Sequence, residues 1–584
     1  MKRLKLNQLV VLLIFFTFTQ CLFSQEHRIL LDEVYTDWDD ISGVVDSGET
    51  ISGTDFIQLK ATNYDNYLFL YLEIDKEINL QSDNTIRLYI DNDNNETTGI
   101  SVNGIGAEIE YTFGQRQGKF IYNDSSVSIH HNNIGLVSIP TVTSNIFEIQ
   151  LNKNSIVDGR PLFPNNTIKI VIENLVTDGD MIPNNIGGYE FTFSNLEPQH
   201  NISYSIKKLD PENLRIVSYN VERDRLFDLG NKEAHKRIFQ ALNPDIIGFQ
   251  EIYNHTAQET ADLVEEFLSS SENENWYYAK SGTDIIVVSR FPITQSFAID
   301  NNGAFILDLQ DHNSKLLFVN AHTPCCGNND SRQKEIDNFM AFIRDAKKNG
   351  GALTLEQGSP IVIVGDMNMV GYKQQQTTLI TGDIVNTGIY GDSYSPDWDS
   401  TPLEDTKPVT TNMPSTFTWY DEGSSFSPGR LDYVVYSNSV MKSVNSYVLF
   451  TKALPEDSLS LYNIQSNDVT SVADHLPTVV DFKLSPKVSV SKNANLEYQF
   501  SLSQNYPNPF NPNTVIKYEI GNRRFVTLKV YNSLGQEVAT LVNREQDAGN
   551  YEIKFQPNDL TSGIYFYKLT SGRKVMSRKM LLLK

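Results

Sequence analysis

The feature that most limits what this chain can fold into lies in its middle. Between Leu214 and Leu484 short apolar runs recur, and polar side chains stand at their ends. LRIVSY leads into Asn220, DIIGFQ into Glu251, KLLFVNA into His322, and PIVIVG into Asp366 and then Asn368. Asp432 stands inside RLDYVVYS, and Asp474 and His475 immediately precede LPTVVDF. Continuous apolar runs of roughly four to eight residues read as strands covered on both faces. Between them lie KEAHKRIFQALN and SRQKEIDNFMAFIRDAKK, both with helical spacing, the second with Asp330 or Ser331 as its N-cap. Strands alternating with helices make a layered α/β unit, in which strand ends project side chains into a common crevice. Residues 211–486 are therefore read as one α/β domain.

A single strand-end Asp is ordinarily a turn or a cap. Polar residues at one strand end after another are harder to explain that way, and their types suit one reaction. Attack on a phosphodiester must neutralise charge on the non-bridging oxygens, activate water and stabilise a leaving alkoxide. A hard cation held by carboxylate and amide oxygens serves the first and last of these. A His bonded to an Asp serves as base or as stabiliser of the pentavalent state. An oxygen-rich set with isolated histidines argues against a structural zinc site.

The flanks differ. From 26 to 205 short alternating runs such as YLFLYLEI, TIRLYIDND and IKIVIEN are separated by Asn, Asp and Gly, the pattern of an all-β sandwich. Character changes at KKLDPEN, Lys207 to Asn213. A polar linker, 487–500, precedes a last β-patterned unit, 501–584, which carries 12 Lys and Arg against 6 Asp and Glu, unlike the acidic remainder. The first 25 residues combine Lys2, Arg3 and Lys5 with an apolar run from Leu9 to Phe18 and then Ser24 and Gln25. That is the layout of a cleaved export signal, since the run is too short to span a bilayer. Acylation at Cys21 is the alternative, disfavoured by Gln20 before it. Beyond Cys21 only Cys325 and Cys326 remain, so no disulfide framework is expected. The net charge of −24 argues against a broad, non-specific nucleic-acid binder, but a metal site supplies positive charge locally and leaves a nuclease open.

SYNV with Asn220, GFQEI with Glu251, VSRFPI, VNAH with His322, VGDMN with Asp366 and Asn368, RLDYVVYS with Asp432, and ADHLP with Asp474 and His475 appear in order. Together they resemble the endonuclease/exonuclease/phosphatase superfamily, which includes pancreatic-type deoxyribonucleases, abasic-site endonucleases, neutral sphingomyelinases and inositol-polyphosphate 5-phosphatases. The resemblance implies a four-layer α/β sandwich using Mg²⁺ or Mn²⁺. It implies Glu251 as principal metal ligand, assisted by Asn220 and Asp474, and Asp366 and Asn368 orienting or deprotonating the attacking water. It further implies His475, positioned by Asp432, as base or phosphate stabiliser, and His322 on the scissile phosphate or the leaving group. Glu222 stands where some relatives carry a second acidic ligand, and is equally a solvated loop residue. After His322 the chain departs from the common pattern with HTPCCGNNDSR, where Cys325 and Cys326 are either a vicinal disulfide or two thiols. Arg332 is a substrate-phosphate contact or a solvated helix residue.

YPNPFNP, LKVYNSLGQEVATLV, LTSGIYFYKL and the closing KMLLLK resemble the C-terminal sorting domains of the type IX secretion system. That resemblance implies export through the type IX machinery, with the protein released or held at the cell surface. VYTDWDD, LYIDNDNNETTG and GAEIEY resemble a family-9-like carbohydrate-binding or DOMON-type module. A glycan is the partner this implies, although its Tyr and Trp read equally as sandwich core. Asp91, Asp93 and Asn95 offer oxygens to Ca²⁺, but the loop lacks the Gly and Glu of an EF-hand and a hairpin turn is the better reading. The expected protein is a multidomain, exported, monomeric phosphodiester hydrolase, with nucleic acid slightly favoured as substrate. A phospholipid head group or phosphomonoester is the second reading, and an inactive surface-binding protein the third.

Overall fold

The computed structural model of the chain describes residues 29–194, 204–484 and 501–583, apart from 47, 49–51, 65, 123–124, 269–274, 313, 521–522, 547–548, 558–559 and 572–573. The segment read as an export signal and the linker at 487–500 lie outside the described residues. Two compact units divide the chain, with the boundary at 487/488.

In the larger unit, residues 214–484 form two facing sheets. The first runs, in spatial order, Tyr277–Ser281, Ile285–Ser289, Ile246–Gln250, Leu214–Asn220, Thr478–Leu484, Met441–Val448 and Val409–Thr410. The second runs Ile293–Ile299, Asn302–Leu309, Ser314–His322, Ile361–Asp366, Asp432–Tyr436 and Glu404–Asp405. Ile216, Ile246, Val287, Phe318, Val364 and Tyr436 meet in the dry layer between them, which is why these strands are apolar on both faces. Helices Lys232–Leu242 and Ala257–Leu268 cover the outside of the first sheet through Phe239 and Val264. Helix Asn329–Ala346 covers the second through Ile336 and Phe339. The result is the expected four-layer α/β sandwich. Register then gathers the strand ends, because Asn220 pairs with Gln250, His322 with Asp366, and Asp366 with Asp432. Gly365 makes this possible. Its φ is +133°, and a Cβ there would stand 1.9 Å from the Ala321 carbonyl oxygen on the neighbouring strand.

Residues 29–194 form two antiparallel sheets closed on Leu70, Leu88, Ile109, Phe147 and Ile170, an all-β sandwich. The sequence sets this region apart at 207–213, yet it shares a second core with the α/β sandwich. Ile29, Leu31, Trp38, Tyr64, Phe69 and Tyr71 belong to the same apolar cluster as Phe417, Tyr447 and Phe450. Leu31 N–H donates to the Pro414 carbonyl and Thr416 Oγ1 to the Leu31 carbonyl, each at 3.0 Å. Ser427 N–H donates to Gln81 Oε1 at 2.9 Å, and Thr141 Oγ1 to the Met369 carbonyl at 2.6 Å. Trp38, Tyr64, Phe69 and Tyr71 are therefore covered by the α/β sandwich. The smaller unit packs a three-stranded on a four-stranded sheet around Ile516, Leu528, Tyr567 and Leu582. No helix among the described residues is long and apolar enough to cross a membrane.

Candidate active site

At the gathered strand ends, Asp366 is flanked by two histidines. His475 Nε2 stands 3.4 Å and His322 Nε2 3.6 Å from Asp366 Oδ2. Each imidazole is held from behind by a carboxylate, His475 Nδ1 by Asp432 Oδ2 at 2.8 Å and His322 Nδ1 by Asp284 Oδ2 at 2.6 Å. Burial opposes charge on both rings. For His475 the carboxylates of Asp432 and Asp366 outweigh it and push it up to about 10. For His322 those of Asp284, Asp366 and Glu251 push it up to about 9. The Nε2 atoms are thus N–H donors facing one carboxylate. Burial raises the Asp366 carboxyl in turn, with the Asp432 charge adding to it and both histidines opposing.

Asn220 joins this group to Glu251. Its Nδ2 donates to Glu251 Oε1 and to Asp366 Oδ2, each at 3.1 Å, and its Oδ1 accepts the Glu222 N–H at 3.0 Å. Glu251 stands at the strand exit in the left-handed region, φ 66°, and its Oε2 accepts the Arg223 N–H at 2.9 Å. Glu251 Oε1 lies 3.9 Å from His322 Nε2, so both carboxylates face one small space. Asn368, also left-handed at φ 46°, donates from its backbone to Asp366 Oδ1 at 2.9 Å and from Nδ2 to the Thr323 carbonyl at 2.9 Å. Non-glycine residues held there by their surroundings are common at functional sites.

Asp474 is oriented by a loop from 411 to 431. Trp419 Nε1 donates to Asp474 Oδ2 at 3.0 Å, and the Tyr420 N–H to the Asp474 carbonyl at 2.8 Å. Thr418 Oγ1 accepts the N–H groups of Leu431 and Asp432 at 3.0 and 2.9 Å. Glu222 pairs with Arg225 at 2.5 Å, and its carboxyl is raised by burial and by Asp474 beside it. Arg332 is placed otherwise than a phosphate contact requires. It is fully buried, and its guanidinium donates to the carbonyls of Pro324 and Cys326 and to Asn329 and Gln375. It pins the loop after His322, on which Cys325 and Cys326 are exposed free thiols with Sγ atoms 2.7 Å apart.

The structure brings Asn220, Glu251, His322, Asp366, Asn368, Asp432 and His475 to one place, and adds Asp284, which the sequence pattern alone leaves out. The signal for it was present, an acidic residue opening the otherwise apolar run DIIVVS. The donor set fits a hard divalent cation. Glu251 and Asp366 present carboxylate oxygens to one space, bridged by the Asn220 amide, and no thiolate takes part. A cavity of about 790 Å³ lined by Lys208, Arg215, Asp245 and Arg290 lies at the opposite ends of the strands.

Residues 217–453 match the model of the Endonuclease/Exonuclease/phosphatase family, and residues 504–583 that of the Secretion system C-terminal sorting domain. The sorting domain marks the protein for type IX export, as a secreted or surface-attached protein. No curated protein matches the chain. Among solved structures, truncated Caenorhabditis elegans TDP2 is 15% identical and covers 46% of this chain and 97% of its own, with a TM-score of 0.31. The human Nocturnin catalytic domain with bound sulfate is 13% identical and covers 47% and 95%, with a TM-score of 0.29. ANGEL2, a 2',3'-cyclic phosphatase in complex with adenosine-2',3'-vanadate, is 14% identical and covers 47% and 96%, with a TM-score of 0.32.

Proposed function

We propose that this protein is an exported hydrolase of phosphodiesters that uses Mg²⁺ or Mn²⁺, with nucleic acid as its favoured substrate. The observation that carries this reading is the meeting of two Asp-backed histidines on Asp366, beside Glu251 and Asn220. Glu251 and Asn220, with Asp474 assisting, would hold the cation, which when bound supplies neutralising charge for the phosphate and the leaving alkoxide. Asp366, fixed by the Asn368 N–H, orients the attacking water and takes up its proton, while the His475 Nε2–H facing it is placed to stabilise the charge that builds on the phosphate. Asp432 keeps His475 in the orientation that presents Nε2 inward, and Asp284 does the same for His322. Nε2–H of His322 is then placed to donate to a phosphate oxygen or to the departing oxygen.

One observation favours a smaller substrate. Arg332 is enclosed in its loop and Arg225 is paired with Glu222, so neither lays a phosphate-tracking row beside the site. A phospholipid head group or phosphomonoester is therefore the second reading. Both are tested on the purified exported protein with plasmid DNA, RNA, sphingomyelin and inositol phosphates, with and without EDTA. EDTA-sensitive cleavage of nucleic acid alone supports the first. Turnover of sphingomyelin or a monoester alone replaces it with the second. Hydrolysis of none of them in Mg²⁺ or Mn²⁺ removes both.

A further inference from the structure

Outside the catalytic domain, the turn between strands Ile86–Asp91 and Ile100–Val102 carries acidic side chains that the chemistry above does not use. Asp91, Asp93 and Glu108 each bring a carboxylate oxygen within 4.8 Å of the others. Asp91 and Glu108 are 0% and 5% exposed. One oxygen on each is occupied, Asp91 Oδ1 by the Asn95 N–H at 3.2 Å and Glu108 Oε2 by the Asn92 N–H at 3.1 Å. The others, Asp91 Oδ2 and Glu108 Oε1, are buried and accept no hydrogen bond. A buried carboxylate oxygen without a donor is costly, and two of them facing a third carboxylate are more so.

We propose that Asp91, Asp93 and Glu108 bind a Ca²⁺ ion that fastens the 92–99 turn to the Ile105–Ala107 strand. The ligands are all oxygen, and their spread is no wider than the about 5 Å across a Ca²⁺ coordination shell. The site differs from the sequence expectation in one ligand. Asn95 Oδ1 turns back to the N–H and hydroxyl of Thr97, at 3.1 and 2.8 Å, and Glu108, from beyond the next hairpin, stands in its place. The turn and strand approach too closely for side chains, since a Cβ on Gly99 would lie 2.3 Å from the Ala107 carbonyl oxygen and 2.8 Å from Glu108 Oε1.

Ca²⁺ titration of the full exported protein by calorimetry and by thermal unfolding tests this. A Kd of the order of 10⁻⁴ M is expected, with the melting temperature rising by about 3 °C at a hundredfold excess over Kd. Glu108→Gln is expected to lose one Ca²⁺ equivalent while melting no lower than wild type without Ca²⁺, because it removes an uncompensated charge. Asp93→Asn, at the half-exposed rim, weakens binding at least tenfold and serves if Glu108→Gln does not fold. Glu251→Gln, in the catalytic cluster, keeps the Ca²⁺ shift in full, which separates this site from the proposed hydrolytic one. Unchanged Ca²⁺ binding in Asp93→Asn or a folded Glu108→Gln overturns the assignment and moves the ion to the Asp46, Asp55 and Asp180 group or to the catalytic cluster.

Discussion

Removing the N-terminal sandwich should unfold the α/β domain rather than merely detach a module. Ile29, Leu31, Trp38, Tyr64, Phe69 and Tyr71 are each at most 7% exposed and lie in the core shared with Phe417 and Phe450. At roughly 1.5–3 kcal/mol per buried large apolar side chain, those six amount to about 9–18 kcal/mol. Half of that, to allow for packing within the sandwich itself, still rivals the whole stability of a typical domain, about 5–15 kcal/mol. The polar ties from Pro414, Thr416, Ser427 and Met369 are lost as well. Calorimetry of the protein spanning 29–484 is the assay, beside a fragment beginning at Tyr204. One cooperative transition for the longer protein and aggregation or a molten fragment for the shorter are expected. In the intact chain, Trp38→Ala, which also takes the indole N–H from Glu148 Oε1 at 2.9 Å, should cost about 3–5 kcal/mol. A fragment from Tyr204 that melts within about 3 °C of the longer protein and keeps its turnover would refute the shared-core argument.

Other outcomes follow from individual contacts. Asp432→Asn leaves the packing intact but loosens His475, so kcat should fall by about 10²–10⁴ with an unchanged melting temperature. Asp284→Asn, acting through His322, should lower kcat by about 10–100-fold, and equal loss in an Asp284→Asn/His322→Ala pair and in His322→Ala alone would show that it works by that route. Asp481 takes Nε and Nη2 of Arg215 at 2.6 and 2.8 Å with both side chains buried, so Asp481→Ala should cost about 3–5 kcal/mol, read from urea unfolding. His235, packed between Tyr219 and Phe239, is lowered by burial to about 4 from 6.5. The unfolded chain takes up that proton first, so its contribution is complete above pH 6.5 and is lost as pH falls from 6.5 to 4. The loss amounts to about 3 kcal/mol at most, and His235→Leu should flatten that part of the stability profile.

What was legible in the sequence was what periodicity and strand-end chemistry fix locally. Apolar runs such as IVIVG leave little choice but a buried strand, and the polar residue after each is then carried to the same edge as its neighbours by sheet register. The burial of Arg332 is not legible in the sequence because its surroundings are non-local. Its partners are carbonyls at Pro324 and Cys326 and an amide at Gln375, and helix position alone gives no sign of them. Glu108 escaped notice for the same reason, lying a hairpin away from Asp91 and Asp93. Asp284 differs, since its place at the head of a strand was visible and only its partner, His322, was not.

The shared core also changes what the N-terminal sandwich can be for. Trp38, Tyr64 and Tyr71, at 1%, 7% and 7% exposed, are core side chains and not a stacking surface. The surface that these residues cover includes the 411–431 loop, whose far side carries Trp419 against Asp474 and Thr418 against the backbone of Asp432. Gln81, Arg116 and His131 grip the same loop at Ser427, Ser425 and Ser424. A continuous line of packed and hydrogen-bonded groups thus runs from the sandwich to the residues behind His475. Such a loop in a free α/β domain would have to pay its own ordering entropy, about 1–2 kcal/mol per residue fixed. Anchored on the sandwich it is ordered beforehand, which is the condition for Asp474 and His475 to fill their proposed roles without rearrangement. The sandwich thus supports the proposed active site, and Gln81→Ala should lower kcat while leaving KM nearly unchanged.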